Sequence, residues 1–209
     1  MELELILSFL GASILLSLMP GPDNIFVLTE SLTKGHKNGI AISVGLSLGV
    51  LVHTLAAATG LSIIIQNSMF AFSVVKYLGA AYLFYLAFGA TKETQSALNL
   101  TATKIKEEFK LFPLIRKGFL MNVLNPKVSL FFIAFLPQFV SQNGFHITLQ
   151  MIILGLIFMA QAIVVFSLIA ILSGSLSRYI NSPKFWKVTK WSKVFVLATL
   201  GLSLLLAKK

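Results

Sequence analysis

The sequence predicts an all-α, polytopic membrane protein of six transmembrane helices, arranged as two inverted three-helix halves with the N-terminus outside. Three observations predict it. Of the 209 residues, 56% are hydrophobic and only 11% charged, against roughly 25% charged in an ordinary soluble domain, so the chain lacks the polar surface to live in water. Several runs of about 20 residues are apolar on every face rather than along one stripe, the pattern of helices solvated by lipid. The basic residues fall in alternate gaps between those runs, as the bias of Lys and Arg toward cytoplasmic loops requires.

The spans are drawn at 5–31, 39–65, 70–90, 116–140, 147–172 and 188–207. At 1.5 Å per residue each is long enough for about 30 Å of hydrocarbon. The first starts after an acidic Met1-Glu2-Leu3-Glu4, with no basic leader and no cleavage signal, and reads as a retained helix. The last needs Lys190, Trp191 and Lys193 as an interfacial collar, its lysines snorkelling to the rim. Lys76 reads as another snorkelling lysine, and Gln161 as a bond between helices. Lys34 and Lys37 mark the first loop, Lys92 to Lys117 the third, and Arg178 to Lys193 the fifth, whereas the second and fourth loops carry no Lys or Arg. Odd loops are therefore inside, and 1–209 reads as a single transmembrane domain. Its one sizeable extramembrane piece is the cytoplasmic loop 91–115, where Lys104 to Lys110 either forms a short amphipathic helix or is a solvated linker beside anionic headgroups.

The net charge of +10 does not indicate nucleic acid, because the basic residues lie in the loops and not on one face of a folded domain. Cysteine is absent, which removes thiolate metal sites and thiol chemistry. No cofactor and no resident metal are expected.

The informative residues are those that do not belong in a bilayer helix. Pro20, Gly21 and Pro22 interrupt the first span just before Asp23 and Asn24, and the prolines deprive the carbonyls of Leu16 and Leu18 of their helical donors. Pro126 does the same to Asn122 in the fourth span, ahead of Lys127. Asn122, Asn125 and Ser129 follow at i, i+3 and i+7, a polar stripe that should face the bundle interior. Counted from the basic belts at Lys34 and Lys117, Asp23 and Lys127 both lie about 15 Å deep. Charges at that depth cost several kcal/mol, so function is the default expectation for both. The structural alternatives are that Asp23 caps the half-helix after the break, or that the two residues form a buried ion pair. His53 shares a face with Gly45 and Gly49, small residues that let another helix approach. It is either a proton carrier or a neutral histidine bonded to a serine or a carbonyl.

At Pro20-Gly21-Pro22-Asp23 and Asn125-Pro126-Lys127 the sequence resembles the bacterial lysine exporter (LysE) and homoserine/threonine exporter family. Gly45-x-x-x-Gly49-x-x-x-His53, Lys76-Tyr77-Leu78-Gly79-Ala80-Ala81-Tyr82-Leu83 and Phe135-Leu136-Pro137-Gln138-Phe139 extend the resemblance over the whole chain. The resemblance implies six helices, a bacterial cytoplasmic membrane location, and export of neutral or basic amino acids or their derivatives coupled to the proton gradient.

The broken helices suit a zwitterion. Freed carbonyls and Asp23 are placed for its ammonium, and Lys127 and Asn125 for its carboxylate. The candidate substrate-binding residues are Asp23, Asn24, Asn122, Asn125 and Lys127, and the candidate proton carriers Asp23 and His53. The expected partners are a small amino acid, protons and the bilayer, with a homodimer also open. A metal-ion exporter is the first rival, disfavoured because Asp23 is read as the only deep carboxylate and hard cations want several oxygens. A membrane-embedded enzyme is the second, disfavoured because His36, His53 and His146 are scattered and no nucleophile and base pair is visible.

Overall fold

The computed structural model describes residues 2–61, 68–92, 109–141, 144–180 and 182–206, and these are helical almost throughout. The first apolar run forms α1 (Leu3–Leu18) and α2 (Pro22–Lys34), which meet at a 58° bend. The second forms α3 (His36–Ala56), continued by a π-helical turn over Ala57–Leu61. The third forms α4 (Met69–Thr91), capped by the Ser68 hydroxyl, which accepts the Ala71 N–H. The fourth forms α5 (Leu111–Val123) and α6 (Pro126–Leu130), then a π turn (Phe131–Phe135) and a 3-10 turn (Leu136–Phe139). Its two halves are bent by 51°. The fifth is α7 (Ile147–Ile171), and the last is α9 (Pro183–Leu206).

Four helices are long and apolar enough to cross a membrane, and the count reaches six when each bent pair is one span. The chain is thus an all-helical, multi-pass membrane protein. The span boundaries differ from the sequence reading mainly at 111–115, which starts α5 and does not end a loop, and at 173–180, which folds as a short helix α8 (Ser173–Ile180) against α2. Within 91–115, residues 93–108 lie outside the described part; Phe109 and Lys110 precede α5 and are not helical.

Helix α3 is the centre of the bundle, packing on α2, α5 and α7. Small residues set that approach: a Cβ on Gly45 would sit 2.1 Å from the Ile115 carbonyl oxygen, and one on Gly49 2.7 Å from the Asn122 Cβ. Without a hydrophobic drive between helices in lipid, such backbone proximity is how helices gain packing energy. The pair α4 and α9 lies alongside, joined to the rest where α4 meets the π turn of the fourth span. That turn is embedded in rings: Phe131 and Phe132 pack with Phe158 of α7 at centroid separations of 5.5 and 5.2 Å, and Phe9 of α1 lies 5.9 Å from Phe131.

Candidate functional site

The two breaks meet. Gly21 is the N-terminal cap of α2 but supplies no side chain, and Asp23, in the first turn, is 2% exposed. Its carboxylate does not cap α2; it accepts a hydrogen bond from the Asn125 amide across the bundle. The same Asn125 caps α6, its Oδ1 accepting the Lys127 N–H at 3.0 Å. A short side chain at the second break therefore both restarts its own helix and reaches the acid of the first.

Carbonyls left open at the two breaks, by proline at Leu16 and Asn122 and by the end of α1 at Ser17, have new donors. Lys127 Nζ donates to the Leu16 carbonyl at 3.2 Å, the group whose helical donor Pro20 lacks. Asn24 Nδ2 donates to the Ser17 carbonyl at 2.8 Å. The Asn122 carbonyl, freed by Pro126, accepts the Asn125 N–H at 2.9 Å and lies 3.1 Å from His53 Nε2. A carbonyl only accepts, so Nε2 carries the proton in this contact. His53 is 8% exposed, and of its two expected roles the contact matches the carbonyl-bonded one. Asp23 and His53 both reach the second break, Asp23 through the Asn125 side-chain amide and His53 through the Asn122 carbonyl that also accepts the Asn125 backbone N–H.

Two of the structural alternatives are corrected. Asp23 is not a helix cap, and Asp23 and Lys127 form no direct ion pair, because Asn125 occupies the carboxylate and Leu16 the ammonium. The continuous polar stripe is also corrected: the helix breaks between Asn122 and Asn125, so Asn122 faces Gly49 of α3 while Asn125 faces Asp23. Both are buried as expected. Gln161 does bridge helices, donating to Ser17 Oγ at 2.9 Å. Among the described residues, Asn24 Oδ1, Asn122 Oδ1 and Gln161 Oε1 are buried acceptors with no hydrogen-bond donor, and such groups are costly unless something else satisfies them.

Beside the breaks lies a cavity of ≈ 390 Å³, lined by Pro20, Gly21, Pro22, Asn125, Pro126 and Lys127 on one side and by Tyr85, Leu86, Gly89 and Ala90 of α4 with Lys193 and Leu197 of α9 on the other. A second, apolar cavity of ≈ 220 Å³ lies on the far side of Pro20 and includes Asn24.

Sequence reasoning missed Glu30 and did not foresee that Lys193 lines the same cavity as Lys127. Glu30 is 8% exposed in α2, paired with Lys34 at 3.4 Å and Lys117 at 3.9 Å, and Lys117 also lies over the Phe26 ring. Asp23 is therefore not the only buried carboxylate. The signal was available, since Glu30 falls seven residues after Asp23, on one face with Val27. The two acids lie about 10 Å apart along a helix, too far to share one ion. Among the described residues no three His, Asp or Glu side chains gather.

An all-helical membrane bundle whose two interrupted helices meet at buried polar groups, beside a cavity of solute size, has the construction of a membrane transporter. The chain belongs to the LysE type translocator family, whose model matches residues 14–208. It is therefore a small-solute efflux transporter of a family of transporters rather than enzymes. It is 31% identical over 208 residues, covering 99% of this chain and 98% of the other, to an uncharacterized membrane protein of Vibrio cholerae. It is 30% identical over 205 residues, 94% and 96% of the two chains, to the uncharacterized membrane protein YrhP of Bacillus subtilis. A Pseudomonas aeruginosa membrane protein is 37% identical over 142 residues, 67% of this chain and 66% of its own. No solved structure matches.

Proposed function

We propose that the protein exports amino acids or amino-acid derivatives across a bacterial cytoplasmic membrane by proton antiport, with the N-terminus outside and the two three-helix halves inverted about the site. The observation that carries this reading is the junction of the breaks. There a carboxylate, an ammonium, and carbonyls deprived of helical donors lie together beside a cavity of solute size, the arrangement that transporters place near the midplane. A zwitterion brings to it the groups it lacks: an ammonium for Asp23, which Asn125 covers until it is displaced, and a carboxylate for Lys127, which lines the cavity.

Transport then needs the contacts between the breaks to change. When the solute carboxylate takes Lys127, the Leu16 carbonyl loses its donor; when the solute ammonium takes Asp23, Asn125 is released. Solute binding so exchanges bonds that tie the first span to the fourth, which lets one half rock against the other. Asp23 is the proton carrier in this scheme, and His53, bonded to the Asn122 carbonyl, is the other candidate.

The test is efflux of a panel of labelled amino acids from cells preloaded with dipeptides, with and without a protonophore. Export of at least one amino acid, slowed by the protonophore, is expected. A panel that leaves no faster than from cells lacking the protein removes the amino-acid reading. Asp23→Asn should abolish coupling to an imposed pH gradient in vesicles; full proton-coupled efflux in that variant moves the proton to His53.

A further inference from the structure

The apolar cavity on the far side of Pro20 differs from the polar one in what it can hold. Its ≈ 220 Å³ lies between side chains from four helices: Ile25 and Leu28 of α2, Ile169 of α7, Leu176 of α8 and Trp186 of α9. Among the described residues no charged side chain lines it, and the Asn24 amide N–H is bonded to the Ser17 carbonyl. The ammonium and carboxylate of a free amino acid would enter it unpaired, which disfavours them strongly. A dry apolar cavity takes an apolar guest instead.

Two observations say which guest. Leu18, on the rim, is 52% exposed at the end of the first half of a bent span, so the cavity opens toward the lipid. Its other end lies at the start of α9, where Phe185 and Trp186 line it and Lys184 and Lys187, the residues on either side of them, are exposed. Helix α9 is long and apolar enough to cross a bilayer, which puts its first turn at headgroup level and the cavity beside the acyl chains below. Acids are missing from this stretch of sequence: residues 178–193 contain Arg178 and four lysines, and no Asp or Glu follows Glu108. An apolar chamber beneath a cluster of basic residues has the two chemistries of an anionic phospholipid, in the order in which a leaflet presents them.

We infer that the cavity between α2, α7, α8 and α9 is a site for an anionic phospholipid: one acyl chain lies in the cavity against Trp186, and the headgroup phosphate meets Lys184 and Lys187 at its mouth. The site is separate from the polar cavity, but Pro20 borders both, so the bound chain packs against the first break. The inference stands whichever solute is carried.

The experiment uses the full-length protein in liposomes and its two tryptophans. In Trp191→Phe the remaining indole, Trp186, reports on the cavity. In Trp186→Phe the remaining one is Trp191, which is 56% exposed and outside the cavity lining, and it reports on bulk lipid. Each protein is titrated with phosphatidylglycerol or phosphatidylcholine carrying brominated acyl chains, which quench a neighbouring indole. Trp186 is quenched at an about fivefold lower mole fraction of the anionic lipid than of the zwitterionic one, the order of one lysine's attraction for an anionic surface, and Trp191 is quenched equally by both. Lys184→Gln combined with Lys187→Gln abolishes the preference at Trp186. Thr189→Phe, which adds a ring to the cavity wall, abolishes it with both lysines in place. The lysine substitutions are at exposed positions, so the test holds even if Thr189→Phe does not fold. Equal quenching of Trp186 by the two lipids, a preference that survives the paired lysine substitutions, or the same preference at Trp191 overturns the site. Relief of Trp186 quenching by added leucine assigns the cavity to a solute side chain and overturns it equally.

Discussion

The first and fourth spans both lose helical hydrogen bonds to proline, and they make up the loss in different ways. In the first, the Leu16 carbonyl freed by Pro20 and the Ser17 carbonyl in the last turn of α1 are taken by side chains, Lys127 from the fourth span and Asn24 from the next turn, and α2 then runs on as a regular helix to Lys34. In the fourth, the Asn122 carbonyl is taken largely by its own backbone, through the Asn125 N–H. There the chain does not recover a regular helix: five α-helical residues give way to a π turn and then a 3-10 turn. One break is held by side-chain contacts, those that solute binding exchanges in the proposed scheme. The other is held by packing, from the glycines of α3 on one side and the phenylalanine rings on the other. Under the proposed function the difference separates the two halves of the site by role: the first span makes the exchangeable contacts, and the fourth supplies the frame that presents Asn125 and Lys127.

That contrast is broken most easily at the rings. Phe132 is 1% exposed against Phe158 and His53, so Phe132→Ala should lower stability by about 3 kcal/mol or more by leaving a cavity beside the π turn. Thermal unfolding in detergent measures it, and a loss below about 1 kcal/mol would mean that packing does not hold the second break. Gly45→Val comes next. Its added atoms meet the Ile115 backbone, which costs about 2 kcal/mol as overpacking, read by the same melt together with loss of transport. A site held chiefly by its own backbone hydrogen bonds would tolerate both.

The side-chain contacts that hold the first break are probed by two further substitutions. Lys127→Met removes the ammonium at the Leu16 carbonyl and should raise the apparent KM by about tenfold, which is 1.4 kcal/mol of lost binding. A melting temperature that falls as far as in Phe132→Ala would show that this contact is structural after all. The smallest effect is expected at Asn24. Removing its bond to the Ser17 carbonyl with Asn24→Ala should cost about 1 kcal/mol of stability, and a KM for the transported solute that rises alongside would place its unpaired Oδ1 in the binding site.

The features legible in the sequence were local ones. Apolar runs of bilayer length, basic gaps between them, and Pro-Gly-Pro or Asn-Pro inside a run each state a backbone cost that must be met nearby, and the bent pairs fall where those prolines stand. Gly45, Gly49 and His53 were assigned to one close-packed face by spacing alone, and the structure has them there. Glu30 was equally legible as the continuation of the Asp23 face. The partners of these groups were not legible. Asp23 lies 102 residues from the Asn125 that binds it, and Leu16 lies 111 from Lys127. Which donor reaches a freed carbonyl depends on how distant helices are rotated about their axes, and the irregular turn over 131–139 rests on rings from α1 and α7. By itself, then, the sequence determined that this is a multi-pass membrane protein with two broken helices carrying opposite charges. Only the tertiary structure decided that Asn125 bonds Asp23 and that Lys193 borders the same cavity as Lys127, because a helix's rotation is set by what packs against it and not by the residues it contains.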